Sequence, residues 1–376
     1  MLPASLPVPT LREAWASMHR DQRVRLGWCL CHAAVAGFVF FSAAGSLALT
    51  ALSHLVFFDV GSAAIGVAVD VLGANFEVWR RSSVRHPFGL QRAEVLAGFA
   101  MSVFLIFGGF DLLSHNLKHA LEGVGHDPHS HHHHHDNHQP QAAHVHGAAH
   151  PRVVSPGSVD VAALAAAVST LVGAYGLRAR ARVARVRYPS YLSSLLPRAL
   201  ADNPFHVLTL LFSALLLLLP LLSVPASAWL DRAVCAAIAL SMFALGSRLA
   251  VAQGLMLLMS YSDRPAAPAR NGLVAGVRAM AGGADNDHDG AVAGVVREIE
   301  AEPAVARVEA AQFWQVHYGL CMANLRVRVV RGCDDGAASQ LRARVARVIQ
   351  NRLGEGYGLG GSLRWEVTMQ THTDGR

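Results

Sequence analysis

The chain has 376 residues, of which 52% are hydrophobic and only 15% are charged. Its mean hydropathy of +0.31 is too high for an ordinary soluble protein and is typical of a membrane protein with a soluble part. The net charge of +6 comes from arginines beside apolar runs, which argues against a nucleic-acid-binding protein and favours a role in membrane topology.

Six apolar segments follow one another from the N-terminus, and each has about the ~20 residues that a membrane-spanning helix needs, or more. They cover about residues 26–44, 46–77, 93–118, 158–177, 206–224 and 228–256. The sequence therefore predicts a six-helix transmembrane domain over residues 26–260. A short N-terminal segment, residues 1–25, precedes it.

The distribution of arginine predicts the orientation of these spans. Arginines are concentrated before the first span, between the second and third spans, and between the fourth and fifth spans. By the positive-inside rule, both termini and these loops are expected in the cytosol. The loop 122–156, between spans three and four, would then face a lumen or the exterior.

That loop is rich in histidine: residues 126–150 hold eleven of the 21 histidines, with Gly, Pro, Gln and Ala between them. Neutral imidazole binds zinc, copper and nickel, and the varied spacing does not predict one rigid site. Two interpretations stay open, a segment that buffers or senses zinc and a solvated spacer with incidental affinity. The candidate ligands are His126, His129, His131, His132, His133, His134, His135, His138, His144 and His146.

The composition changes after about residue 262. Apolar residues recur with the period of a helix, then alternate as in two strands, and a second amphipathic helix and a third strand follow. The order αββαβ predicts a compact cytosolic α/β domain over residues 262–376, within the usual size range of a domain.

Two stretches resemble the cation diffusion facilitator family, the proton-coupled zinc exporters. "GSLALTA" enters the second span, and "HPFGLQRAEVLAGF" leads into the third, where the family pattern is "YPFGYERxExLxxF". With the six spans and the αββαβ tail, the resemblance covers nearly all of residues 25–370. It implies a transporter and not an enzyme, with zinc as the transported or buffered ion, no organic cofactor, and a metallochaperone-like dimerisation domain.

The resemblance also implies a transport site, from which this sequence departs. The family places a His or Asp, and an Asp four residues later, on span two, and the same pair on span five. The matching positions here are Leu55 and Asp59, and His206 and Leu210. Asp59 and His206 would form a residual metal site. His54 is next to a lost ligand but five residues from Asp59, so it would need a distortion such as a π-bulge to join.

Other ionisable side chains fall at apolar depth, where such groups are costly and are functional candidates by default. We expect His32 and His115 to be packing or interfacial residues and not metal ligands. Asp70 and Asp111 fit a helix-packing role and a proton path equally well.

The loss of two ligands resembles one branch of the family, the transport-deficient subunit of the heteromeric zinc transporter of the early secretory pathway. That resemblance implies a multi-pass protein of the endoplasmic reticulum or Golgi membrane. Its partners would be membrane lipid and a transport-competent family member in a heterodimer, without nucleic acid. The alternatives are an active homodimeric zinc/proton antiporter that uses His54, Asp59 and His206, and a zinc-buffering or sensing membrane protein without transport.

Overall fold

The computed structural model describes residues 4–43, 45–124, 156–176, 203–222, 227–261, 290–330, 334–354 and 363–372. The apolar segments form six helices. These are α2 (Arg20–Ser42), α3 (Leu47–Asn75), α5 (Arg92–Val124), α6 (Pro156–Leu171, followed by a π-helical turn at Val172–Gly176), α7 (Pro204–Leu221) and α8 (Ala228–Leu257). Two short helices accompany them, α1 (Leu11–Ser17) and α4 (Glu77–Arg80).

In this part of the chain, four helices are long and apolar enough to cross a membrane, namely α2, α3, α5 and α8. The other two are represented by shorter apolar stretches, Asp160–Tyr175 and Pro204–Pro220. The prediction of an α-helical membrane protein is confirmed. Helix α5 continues beyond the predicted span 93–118, because the polar residues after Leu117 extend the helix without adding to its apolar run.

The chain divides into two compact units. One unit contains Pro9–Asn75 and Gly98–Ala250, and therefore most of the apolar helices. The other contains Met1–Val8, Phe76–Ala97 and Val251–Arg376.

Four helices of the first unit form a packed group: α2 lies against α3 and α6, and α7 lies against α3 and α6. Its core contains many small residues beside the leucines, including Ala36, Ala48, Ala51 and Ala166. Small residues let helix backbones approach closely, which is how helices associate where lipid removes the hydrophobic driving force.

Helices α5 and α8 cross closely at two glycines. A Cβ atom at Gly109 would lie 2.9 Å from the carbonyl oxygen of Ala239, and one at Gly246 would lie 3.0 Å from the backbone nitrogen of Ile106. Because these neighbours are backbone atoms, neither can move aside cheaply. The crossing therefore requires glycine at both positions.

The N-terminus of α3 is capped by a carboxylate from another helix. Asp231 of α8 accepts hydrogen bonds from Ser46 Oγ at 2.7 Å, from the Leu47 amide at 2.8 Å and from the Ala48 amide at 3.2 Å. A negative charge at this position satisfies orphan amide donors and complements the helix dipole. The cap holds the start of α3 against the start of α8.

In the second unit, the "HPFG" stretch forms a tight turn against α4. Gly89 has φ +63°, and a Cβ atom there would lie 2.5 Å from the carbonyl oxygen of Trp79. The Leu90 amide donates to the same oxygen at 3.2 Å. A side chain at position 89 would clash with this backbone, which explains the glycine of the motif.

The C-terminal part of the second unit has the predicted order αββαβ. It consists of α9 (Ala291–Glu300), β1 (Val305–His317), β2 (Leu320–Val329), α10 (Asp335–Leu353) and β3 (Arg364–His372). The strand order is β1-β2-β3, with β1 and β2 antiparallel and β2 and β3 parallel. The helices cover the sheet through a core of large aliphatic side chains that includes Ile299, Leu325, Leu341 and Ile349.

Candidate functional site

A buried carboxylate joins three helices in the centre of the four-helix group. Asp59 of α3 is 0% exposed, and His32 of α2 and His206 of α7 are 5% and 2% exposed. The Nε2 atom of His32 lies 3.2 Å from Asp59 Oδ2, and that of His206 lies 3.2 Å from Asp59 Oδ1. We call these three side chains the His–Asp–His cluster.

The start of α7 positions His206. Asn203 is the N-cap of this helix, and its Oδ1 accepts from the Phe205 amide at 3.0 Å. Its amide group also donates to Asp59 Oδ1 at 3.1 Å. Pro204 occupies the first helical position, where a missing N–H has no consequence. One asparagine thus both starts the helix and connects it to the carboxylate.

The hydrogen bonds explain how a carboxylate is tolerated at this depth. An unpaired charge in an apolar interior is strongly unfavourable, whereas a carboxylate that accepts several hydrogen bonds is compensated. Asp59 has contacts with two imidazoles and one amide. Among the described residues, the Nδ1 atoms of His32 and His206 have no hydrogen-bond partner. Each ring therefore has an unused nitrogen in the interior.

The cluster has the donor types of a zinc site but not yet its arrangement. Two imidazoles and a carboxylate are common zinc ligands, at about 2.0–2.2 Å from the ion. Ligands at that distance around a tetrahedral ion are ~3.3 Å apart, close to the two observed distances of 3.2 Å. However, each ring contacts a different carboxylate oxygen, and no described group of three such residues is spaced around a metal position. Binding would require the carboxylate to turn.

The other two positions of the family's site are apolar. Leu55 is fully buried in the core of the bundle, and Leu210 is half-buried on α7. Neither provides a metal-binding atom, so the structure offers no replacement at the positions themselves.

The structure does not bring His54 to the cluster. Its Nδ1 lies 2.8 Å from the carbonyl oxygen of Thr50, and its ring packs against Phe40 with centroids 6.2 Å apart. Helix α3 is α-helical from Leu47 to Asn75, so the distortion that would turn His54 toward Asp59 does not occur.

A π-helical turn does occur, but at the end of α6. A Cβ atom at Gly173 in this turn would lie 3.9 Å from His206 Nε2 and 3.6 Å from Trp28 Nε1. Such turns are frequent at functional sites. The glycine keeps the space beside His206 free of a side chain.

Sequence reasoning assigned His32 a packing role, whereas the structure places it against Asp59. A signal for this position was present: Cys29, His32, Ala36 and Val39 are the buried residues of α2. Their spacings of three, four and three residues are those of one helix face. A histidine on the inward face of a membrane helix is a stronger candidate than its isolated position suggests.

Two other predictions concern Asp70 and the histidine-rich segment. Asp70 forms an ion pair with Arg25, whose Nη1 lies 3.2 Å from Asp70 Oδ2, which agrees with a packing role. The histidine-rich segment 126–150 lies outside the described residues, so its ligands stay a prediction.

These features define an α-helical membrane protein with a buried His–Asp–His cluster and a separate small α/β domain. Residues 28–258 match the family model described as the cation efflux transmembrane domain. The chain belongs to this family, the cation diffusion facilitators, which are zinc transporters.

Relatives with curated names agree with this assignment. The probable zinc transporter zrg17 of Schizosaccharomyces pombe is 27% identical over 368 residues, which are 98% of this chain and 80% of the relative. Protein ZRG17 of Saccharomyces cerevisiae is 39% identical over 67 residues, 18% of this chain and 11% of the relative. Zinc transporter 7 of Danio rerio is 40% identical over 84 residues, 22% of this chain and 20% of the relative.

Proposed function

We propose that the chain is a regulatory, non-transporting subunit of a heteromeric zinc/proton antiporter. The observation that carries this proposal is the pair of leucines at ligand positions: Leu55 and Leu210 leave the chain with two of the four family ligands. An exporter must bind zinc well enough to select it, and a site that has lost half of its ligands is weakened in that step.

The partner would be a family member that carries both complete ligand pairs. It would move zinc from the cytosol into the lumen of the endoplasmic reticulum or Golgi in exchange for protons. The likeness to the probable zinc transporter zrg17 over 98% of the chain supports the zinc substrate. The arginine-rich loops support a topology with both termini in the cytosol, which would place the histidine-rich segment on the luminal side, where it would hold exported zinc.

A second candidate is an active antiporter with an altered site, and the position of His32 favours it. With Asp59 and His206, His32 would supply three protein ligands, and water would supply the fourth, as in many zinc sites that keep an open position. This site replaces the His54, Asp59 and His206 set predicted from the sequence.

The two candidate functions can be distinguished by reconstituting the purified chain alone in liposomes with a proton gradient. For a regulatory subunit, zinc uptake by the chain alone should equal that of the Asp59→Ala variant and of empty liposomes. Uptake should appear when the chain is reconstituted with a family member that carries both ligand pairs, and the two proteins should co-purify.

Uptake by the chain alone that is abolished by both Asp59→Ala and His32→Gln would replace the first candidate with the second. The matched control is His54→Gln, because His54 lies on α3 near the site but contacts Thr50 and Phe40. This variant should leave any such uptake unchanged.

A further inference from the structure

Helix α5 carries two histidines one turn apart near its C-terminal end. His115 and His119 are both exposed, and their ring centroids are 5.7 Å apart with an angle of 32° between the ring planes. Residues four apart lie on the same face of a helix. The two imidazoles are therefore side by side on one surface.

The second of these rings also lines a cavity of about 690 Å³ at the same end of the bundle. The cavity is bounded by the starts of α3, α6 and α8 and by the end of α7, and its wall includes two carboxylates, Asp160 and Asp231, and one arginine, Arg232. With two carboxylates and one arginine, these charged groups of the wall sum to a net negative charge, which favours a cation.

The helix that carries the pair is fixed at this point. Asn116 lies between the two histidines in sequence, and its amide group donates to the Arg232 carbonyl oxygen at 2.9 Å. Asn116 is itself buried. This bond holds the last turns of α5 against the start of α8. The backbone that carries the two rings is therefore fixed relative to α8.

We propose that His115 and His119 form a two-imidazole site for a divalent cation of the zinc class at the edge of this cavity. Imidazole nitrogens are preferred ligands of zinc, copper and nickel, and a pair on one helix turn binds as a chelate. Water completes the coordination, and the carboxylates of Asp160 and Asp231 add a favourable field.

The site is distinct from the His–Asp–His cluster. The cavity reaches Thr50 on α3, and Asp59 lies nine residues further along that helix, about 13.5 Å at 1.5 Å per residue. It is also distinct from the histidine-rich segment, since both of its ligands precede that segment on α5. The proposal does not depend on whether the chain transports zinc by itself.

The test measures each histidine separately in the full-length protein. The purified chain is equilibrated with zinc at a free concentration set by a chelator buffer, treated briefly with diethylpyrocarbonate, and analysed by peptide mass spectrometry. His115 and His119 should become protected together, with one common midpoint in free zinc.

The variant His115→Gln should raise the zinc midpoint of His119 by at least about tenfold, since loss of a direct ligand should weaken binding no less than loss of the groups that support one. The control His372→Gln removes another exposed histidine, at the end of β3, and should leave that midpoint unchanged. Equal elution in size-exclusion chromatography checks that the variants are folded.

Two results would overturn the assignment. One is continued modification of His119 at every free zinc concentration in the unaltered chain. The other is a midpoint for His119 that does not move in His115→Gln, because a single imidazole would then account for the protection.

Discussion

The membrane bundle and the αββαβ domain are held together by different side chains. The bundle core contains alanines such as Ala48 and Ala51 and a buried polar cluster, whereas the core of the α/β domain is built of residues such as Leu325 and Ile349. In water, burial of large apolar side chains stabilises a fold by about 25 cal/mol per Å². In lipid that term vanishes between helices, and close packing and polar contacts take its place.

The largest expected effect is the loss of one large side chain from the α/β domain. Leu341 of α10 is 0% exposed, so Leu341→Ala should destabilise this domain by about 2–5 kcal/mol through lost burial and a cavity. Phe107→Ala removes a larger side chain from α5 that is 71% exposed, and it should have almost no effect on unfolding. Chemical unfolding followed by hydrogen exchange of each unit measures the loss of stability in both variants. Similar losses for Leu341→Ala and Phe107→Ala would contradict the difference between the two units.

In the bundle, the opposite change should be harmful, because adding one methyl group disturbs a close helix crossing. Gly109→Ala brings Cβ within 2.9 Å of the Ala239 carbonyl oxygen and 3.0 Å of the Phe243 amide nitrogen. Such overpacking should cost about 1–3 kcal/mol. The thermal midpoint of the detergent-solubilised protein measures this loss.

The control for that variant is Gly37→Ala in α2. A Cβ atom there meets no atom within 4 Å, and alanine is favoured over glycine inside a helix by about 0.5–1 kcal/mol. Gly37→Ala should therefore leave the thermal midpoint equal or raise it. If both variants lower it by the same amount, the crossing of α5 and α8 is not the cause.

A smaller effect is expected from pH in the α/β domain. Burial lowers the pKa of His317 from 6.5 to about 4, and its Nδ1 accepts a hydrogen bond from the Gly319 amide at 3.1 Å. Because the unfolded chain binds the proton more readily, the stabilisation is complete above pH 6.5. It is lost as the pH falls from 6.5 toward 4, so the free energy of unfolding of this domain should decrease over that range.

Hydrogen exchange of the β1 and β2 amides between pH 7 and pH 4, corrected for the intrinsic exchange rate, measures this loss. His317→Asn keeps an acceptor for Gly319 but has no titrating ring. The free energy of unfolding of this variant should therefore not change between pH 7 and pH 4. A pH dependence that persists in His317→Asn would assign the effect to another group.

The sequence predicted the class of fold well, because periodicity and hydropathy are local properties. The order αββαβ follows from alternation in the strands and from apolar spacing in α9 and α10. Helix limits were less accurate: the second span was expected to reach residue 77, but α3 ends at Asn75, since Phe76 has an extended backbone with ψ 126°. Hydropathy does not register a single extended residue between two helical segments.

The candidate site was predicted only in part. Asp59 and His206 were implied by the resemblance to the family's ligand positions, and the structure brings them into contact. The contribution of His32 depends on which face of α2 meets α3, and this is a tertiary property. His54 was considered because it adjoins a lost ligand, but neighbours in sequence point in directions about 100° apart on a helix.

The cap that Asp231 forms on α3 limits how the ligand-bearing helix can move. Sliding along its axis would break three hydrogen bonds at once, whereas a tilt about the capped end would keep them. Asp59 lies twelve residues from Leu47, at the end of a lever of about 18 Å. A tilt of about 5° would carry its carboxylate ~1.6 Å sideways, half of the distance that now joins it to each imidazole. The cap therefore favours a tilt of α3 over a slide, and a tilt of this size would be large enough to change the contacts of Asp59 with His32 and His206.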